Sequence, residues 1–112
     1  MSDTIPLRDR RCQSCAEGGD PLPPGHIEAA LADLHRWKLA ADGKSVAATY
    51  KFDTFHETMS FVNAVAHVAN VEDHHPDLAV SYGRCTVTFW THTVGGVSEN
   101  DLICAAKVEA LL

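Results

Sequence analysis

Apolar residues along this chain recur at two spacings, and the switches between them mark out its elements. Between His26 and Arg36, "HIEAALADLHR" puts Ile27, Leu31 and Leu34 on one helical face. The next stretch, "WKLAADGKSVAATYKF", alternates instead. Trp37 and Leu39 belong to a first short strand. Val46, Ala48, Tyr50 and Phe52 alternate along a second, with Asp42-Gly43 as the hairpin signal between them. Helical spacing returns in "TFHETMSFVNAVAHVAN", where Thr54 and Glu57 form a capping box. Phe55, Met59, Val62, Ala66 and Ala69 make one stripe, and Phe61, Val65 and Val68 widen it, so this helix is expected to be buried over much of its girth. It must end before Pro76, because the residue before a proline is pushed out of the α region. A third strand from Leu78 to Tyr82, a tight turn at Gly83-Arg84 and a fourth strand from Cys85 to His92 follow. Val87 and Phe89 face one way along that last strand; Thr86, Thr88 and Trp90 face the other. Antiparallel pairing about the turn sets Leu78 and Ala79 roughly opposite Phe89 to Thr91. After Gly95-Gly96, Ser98 with Asp101 caps a final helix whose Leu102, Ile103, Ala106 and Leu111 face a core. The predicted order is α-β-β-α-β-β-α. It implies an α+β fold, a four-stranded antiparallel sheet with helices packed on one face as a two-layer sandwich.

The first residues fit neither pattern. They are polar and charged, and end in "GGDPLPPG", whose glycines and prolines break helices and central strands. Residues 1–23 are therefore expected to be a flexible tail and residues 24–112 a single folded domain, an ordinary size for one hydrophobic core. No apolar run approaches the roughly 18 residues of a membrane span, and no apolar signal region opens the chain, so a cytoplasmic location is expected. Four cysteines in that setting are expected to be reduced. Cys12 and Cys15 form a lone C-x-x-C in the tail, half of a zinc site with no second pair to complete it. The net charge of -6 without a basic stripe argues against nucleic acid as a partner.

One residue type stands out in the composition: there are seven histidines. His26, His35, His56 and His67 read as surface or satisfied helix residues. His74 and His75 stand side by side in "VEDHHPDLAVSY", where the long helix hands over to an extended segment, and His92 lies at or near the end of the last strand. The pairing of the last two strands brings His92 towards the segment after Pro76, so three imidazoles and Asp73 can share one cleft. Histidine titrates nearest neutrality and suits acid–base work. Loss of water from a carbinolamine needs a proton given to the departing hydroxyl and one taken from the neighbouring nitrogen, and such groups do this best. Zinc is the rival chemistry, but adjacent histidines rarely serve one tetrahedral ion and no His-x₃-His pair supports them. Taken alone, His-His-Pro also fits a solvated loop.

The stretch "VEDHHPDLAVSYGRCTVTFWTHTVGGVSENDLICAAKVEAL" resembles the hallmark region of the pterin-4a-carbinolamine dehydratases. An acid precedes His-His-Pro, an apolar strand with an aromatic follows, a second strand ends in Thr-His, and Gly-Val-Ser-Glu-x-Asp opens the last helix. Upstream, Trp37 matches a strand entry, although Arg36 stands where the family has glycine, and "FDTF" matches the step into the long helix. Asn70 replaces a glutamate found in some members. The resemblance spans about Ile27 to Leu112. It implies dehydration of 4a-hydroxytetrahydropterin to quinonoid dihydropterin without metal or redox cofactor, after the action of an aromatic amino acid hydroxylase. Carried across, the catalytic residues are His74, His75 and His92, and Asp73, Trp37 and Asp101 bind substrate. A homodimer or homotetramer is implied as well. Two other roles fit the same fold: a protein-interaction module, as in relatives that dimerise a homeodomain transcription factor, and a molybdopterin-related accessory protein.

Overall fold

The computed structural model describes residues 5–13 and 19–112. Helix α1 (Pro24–Ala30) starts on a proline, whose missing N–H costs nothing at that position, and tightens into a 3₁₀ turn over Leu31–Asp33. Strands β1 (Lys38–Leu39) and β2 (Val46–Lys51) form the first hairpin. Helix α2 (Phe55–Glu72) follows, capped by the Thr54 hydroxyl, which accepts the Glu57 N–H. Strands β3 (Asp77–Ser81) and β4 (Arg84–Phe89) form the second hairpin, and α3 (Glu99–Glu109) closes the chain. All pairings are antiparallel, in the order β1-β2-β4-β3, so the hairpins join through their second strands. This is the α+β arrangement expected from the pattern.

Alternation sets the two faces of the sheet. Val46, Ala48 and Tyr50 on β2 and Cys85, Val87 and Phe89 on β4 are buried against the helices. Thr49 and Thr86 sit across from each other on the opposite face and share a 2.9 Å hydrogen bond. Three expectations are corrected. The turn centres on Tyr82-Gly83 instead of Gly83-Arg84, because Phe52 donates its N–H to the Gly83 carbonyl and a Cβ at Gly83 would lie 2.7 Å from the Phe52 oxygen. Leu78 therefore faces Val87, and Ala79 faces Thr86. A shift of two residues keeps every side chain on its expected face. On α2 the buried face is Thr58, Phe61, Val65, Ala69 and Glu72, whereas Phe55 at the head of the expected stripe is exposed. Leu111, expected in the core, is also exposed.

Of the expected tail, residues 5–13 and 19–23 are described, and the first of these stretches lies against the domain. Leu7–Asp9 form a 3₁₀ turn, and Leu7 and Cys12 pack against the core. Arg10 pairs with Glu99 at 3.0 Å, and Lys107 donates to the Arg8 carbonyl at 2.8 Å. Gln13 donates its N–H to the Asn100 side chain, whose amide returns a bond to the Gln13 carbonyl. The physical reason lies in Glu72, a carboxylate with a side chain only 3% exposed that needs partners. The Cys12 N–H at 2.8 Å and the Arg11 guanidinium at 3.0 Å supply them. Residues 5–13 are thus a strap across the end of α2 and along α3. Cys15 lies outside the described residues.

Candidate active site

The site begins with how α2 stops. Asp73 takes the left-handed conformation (φ 51°) as its C-cap, and the N–H groups of Asp73 and His74 both reach the Ala69 carbonyl. An aspartate tolerates this region better than most residues, though not as freely as glycine. The reversal drops His74 inward. Its ring lies flat over Phe89, with centroids 5.8 Å apart and planes 9° from parallel. Its Nε2 lies 2.5 Å from Asp101 Oδ1. His75 follows, exposed and held extended by Pro76.

Asp101 is fully buried in the first turn of α3. Its second oxygen, Oδ2, accepts the Ser98 N–H at 2.8 Å, closing the predicted capping box, and the Thr91 hydroxyl at 2.7 Å. Thr91 lies two residues past β4, and its Oγ1 is also 2.7 Å from Ser98 Oγ. Because Thr91 donates to the carboxylate, the Ser98 hydroxyl donates to Thr91. Reciprocal backbone bonds between Thr91 and Gly96 pinch off the loop between them. That loop needs two glycines: Gly95 has φ +66°, and a Cβ on Gly96 would come within 2.9 Å of Pro21. His92 opens the 3₁₀ turn inside the loop, exposed, edge-on to Trp90 at 5.5 Å. The Trp90 indole N–H in turn donates to Asp77 at 3.4 Å, two residues beyond His75. Three element ends meet here. The α2 exit carries His74 and His75, the β4 exit carries His92, and the α3 start carries the carboxylate that ties the first to the second.

Chemically, this is a shielded carboxylate with all its bonds from donors, next to a stacked imidazole and two solvent-facing ones. If Asp101 accepts the Nε2 proton of His74, Nδ1 of the same ring is the acceptor. Among the described residues, no three of His, Cys, Asp and Glu are grouped to hold a metal ion.

The comparisons with known proteins agree in one direction. The family model for pterin 4 alpha carbinolamine dehydratase matches residues 20–111. The chain belongs to this family. A protein of Nitrosomonas eutropha carrying the pterin-4-alpha-carbinolamine dehydratase name is 46% identical, over 100% of this chain and 98% of its own length. One from Xylella fastidiosa with the same name is 43% identical over 99% and 96%. Among solved structures, a transcriptional coactivator/pterin dehydratase from Brucella melitensis superposes with a TM-score of 0.77 at 30% identity, covering 82% of this chain and 98% of its own. A pterin dehydratase-like protein described as a RuBisCO assembly factor of the alpha-carboxysome shares the fold, with a TM-score of 0.60 at 22% identity over 69% and 89%.

Within this dehydratase-family fold, His74 and Asp101 are in direct contact, and His92 follows Thr91, whose hydroxyl donates to Asp101. Asp73 is exposed at the helix cap. Trp37 stands apart from the others. It is 1% exposed, its indole N–H donates to Tyr50 Oη at 2.9 Å, and it packs 6.0 Å from Phe89. Its ring packs against Phe89, the same ring on which His74 stacks. Sequence reasoning passed over Phe89 and Thr91 as parts of the site. Thr91 carried a signal, since it precedes His92 in "THT" at the end of a strand, where a hydroxyl has no packing reason to be buried.

Proposed function

We propose that this chain removes water from 4a-hydroxytetrahydropterin, giving quinonoid dihydropterin, through proton transfers by His74, His75 and His92. One imidazolium gives a proton to the 4a-hydroxyl, which leaves as water. One neutral imidazole takes a proton from the pterin ring nitrogen next to that carbon. The two transfers balance the reaction, which is redox-neutral and so needs no redox cofactor. Near-neutral pKa groups are suited to both roles. The observation that carries the reading is the bond from His74 to the buried Asp101, in a chain whose family is named for this reaction. A carboxylate with no exposed surface that still binds a half-buried imidazole fixes ring orientation and proton position, the requirement for a general base. Asp101 then acts as a positioning residue. Trp37 supports the His74 ring through Phe89, and Asp73 is left at the rim to meet the pterin's polar edge.

In the cell this step fits downstream of an aromatic amino acid hydroxylase, which produces the carbinolamine, in the cytoplasm and as a homo-oligomer. Among the described residues no helix is long and apolar enough to cross a membrane. The test is the dehydration rate of enzymatically generated 4a-hydroxytetrahydropterin, followed by ultraviolet stopped-flow in buffer with chelator. Wild type is expected to accelerate it, with His75→Ala and His92→Ala each losing about 10²-fold or more. No acceleration over the spontaneous rate would overturn the assignment and favour a protein-interaction role like that of the Brucella transcriptional coactivator/pterin dehydratase. Activity lost with chelator alone would favour a metal.

A further inference from the structure

The dehydratase chemistry leaves the two thiols between the strap and α3 without a role. Cys12 Sγ lies 3.5 Å from Cys104 Sγ, although the two residues are 92 positions apart in the chain. Cys104 is fully buried on α3, and Cys12 is partly exposed. We propose that Cys12 and Cys104 are a site of reversible disulfide formation, which staples residues 5–13 to α3. The geometry is nearly there. A disulfide has an S–S length of about 2.0 Å, so the sulfurs must close by roughly 1.5 Å. Cys12 sits in a stretch without regular structure, held by side-chain contacts on either side, and can supply that movement without breaking a helix.

The two thiols have different parts. The hydrogen bond with Cys12 and burial hold the Cys104 thiol well above the usual thiol range. Cys104 is therefore a poor first nucleophile, and Cys12 is the thiol that an incoming oxidant meets. With a small-molecule disulfide as oxidant, the Cys12 thiolate attacks one sulfur, breaks the S–S bond and releases one thiolate. The released small thiolate takes the Cys104 proton, and Cys104 attacks Cys12 Sγ, expelling the second thiolate. Two protein thiols and one small disulfide become one protein disulfide and two small thiols.

The bridge sits where it matters to the fold. Residues adjoining Cys12 bind Glu72, two residues before His74, and Asn100, the neighbour of Asp101. Stapling the strap holds the α2 exit and the α3 start together without touching the histidines. The consequence expected is greater heat resistance with unchanged proton chemistry.

The test uses the full chain, treated with oxidised glutathione at neutral pH and digested without reductant. The expected peptide map links the Cys12 peptide to the Cys104 peptide within one chain. The thermal midpoint is expected to rise by roughly 5 °C or more over the reduced form and to fall back with dithiothreitol. Cys12→Ser should abolish the rise, and Cys15→Ser should keep it. A Cys12–Cys15 bridge, a stable glutathione adduct on Cys12 or a bridge between chains would each overturn the proposal. Replacing the fully buried Cys104 can unfold the chain, so the decision rests on the wild-type map and on Cys12→Ser.

Discussion

At the scale of single residues, the bonds around Asp101 decide which nitrogen of His74 is free. Oδ2 already takes two donors, Ser98 N–H and Thr91 Oγ1, and Oδ1 faces Nε2. An asparagine of the same shape must keep its oxygen towards the two donors, which turns its amide towards His74. The Nε2 atom must then accept, and the ring proton moves to Nδ1. Asp101→Asn is therefore expected to remain folded but to lose about 10²-fold or more in dehydration rate. ¹⁵N shifts of the His74 ring should report the reversed tautomer, which a merely structural role would not produce. An unchanged rate with a reversed tautomer would remove His74 Nδ1 from the mechanism. The histidines and Asp101 were all legible in the sequence as types at positions. Their bond was not. It depends on Asp73 turning left-handed at the end of α2, and nothing in a residue string distinguishes that turn from a helix that simply frays.

At the scale of elements, α2 shows why periodicity fixed a helix but not its inward face. Apolar residues occur almost all round it, so two stripes compete. The one that won includes two polar residues with partners inside: Thr58, whose hydroxyl reaches the Thr54 and Tyr82 carbonyls, and Glu72. Pattern arguments discard such residues, although buried polar groups are tolerated once bonded. The strap was hidden for a related reason. Its hold on α3 is mostly polar and backbone-mediated, and its proline and charges read as loop. Glu72 makes this contact pH-dependent. Burial alone would raise its carboxyl, but the Cys12 N–H, Lys107 and Arg11 together outweigh that and hold it below the ordinary 4.5. A depressed folded value gives stability that is complete above about pH 4.5 and is lost as pH falls through the folded value. Wild type should thus lose thermal midpoint between pH 5 and 3 more steeply than Glu72→Gln, whose amide does not titrate. At the same time, amide exchange at Cys12 should quicken. Parallel melting curves for the two proteins across that range would show that the carboxylate does not fasten the strap.

At the scale of the whole molecule, the sheet is left open on one side. β3 is an edge strand with all five residues exposed. Leu78 and Val80 lie on the face whose β4 partners, Val87 and Cys85, are fully buried, yet they are themselves 38% and 42% exposed. Beyond them Tyr82 is 67% exposed and stacks on Phe55. Monomeric proteins blunt such edges with charges, prolines or bulges, and β3 has a single charge, Asp77. The homo-oligomer proposed above would seat a second copy of the chain on this edge. Antiparallel pairing about a two-fold axis at Ala79 sets Asp77 opposite Ser81, so no like charges meet, and the two sheets become one of eight strands. The helix-side apolar surface of each copy then continues across the junction, which is the way a strand pair gains the roughly 800 Å² per partner of a stable interface. Val80→Lys puts a cation on that face at the join, twice per dimer, where this register sets it against the apolar Leu78 position of the second copy. The variant is expected to stay folded, because position 80 is already partly solvated in the isolated chain, and to run as a monomer by light scattering where wild type does not. Because His74, Asp101 and His92 are gathered within one chain, dehydration should survive this separation. If activity falls with the dimer, a residue of the second copy belongs to the site.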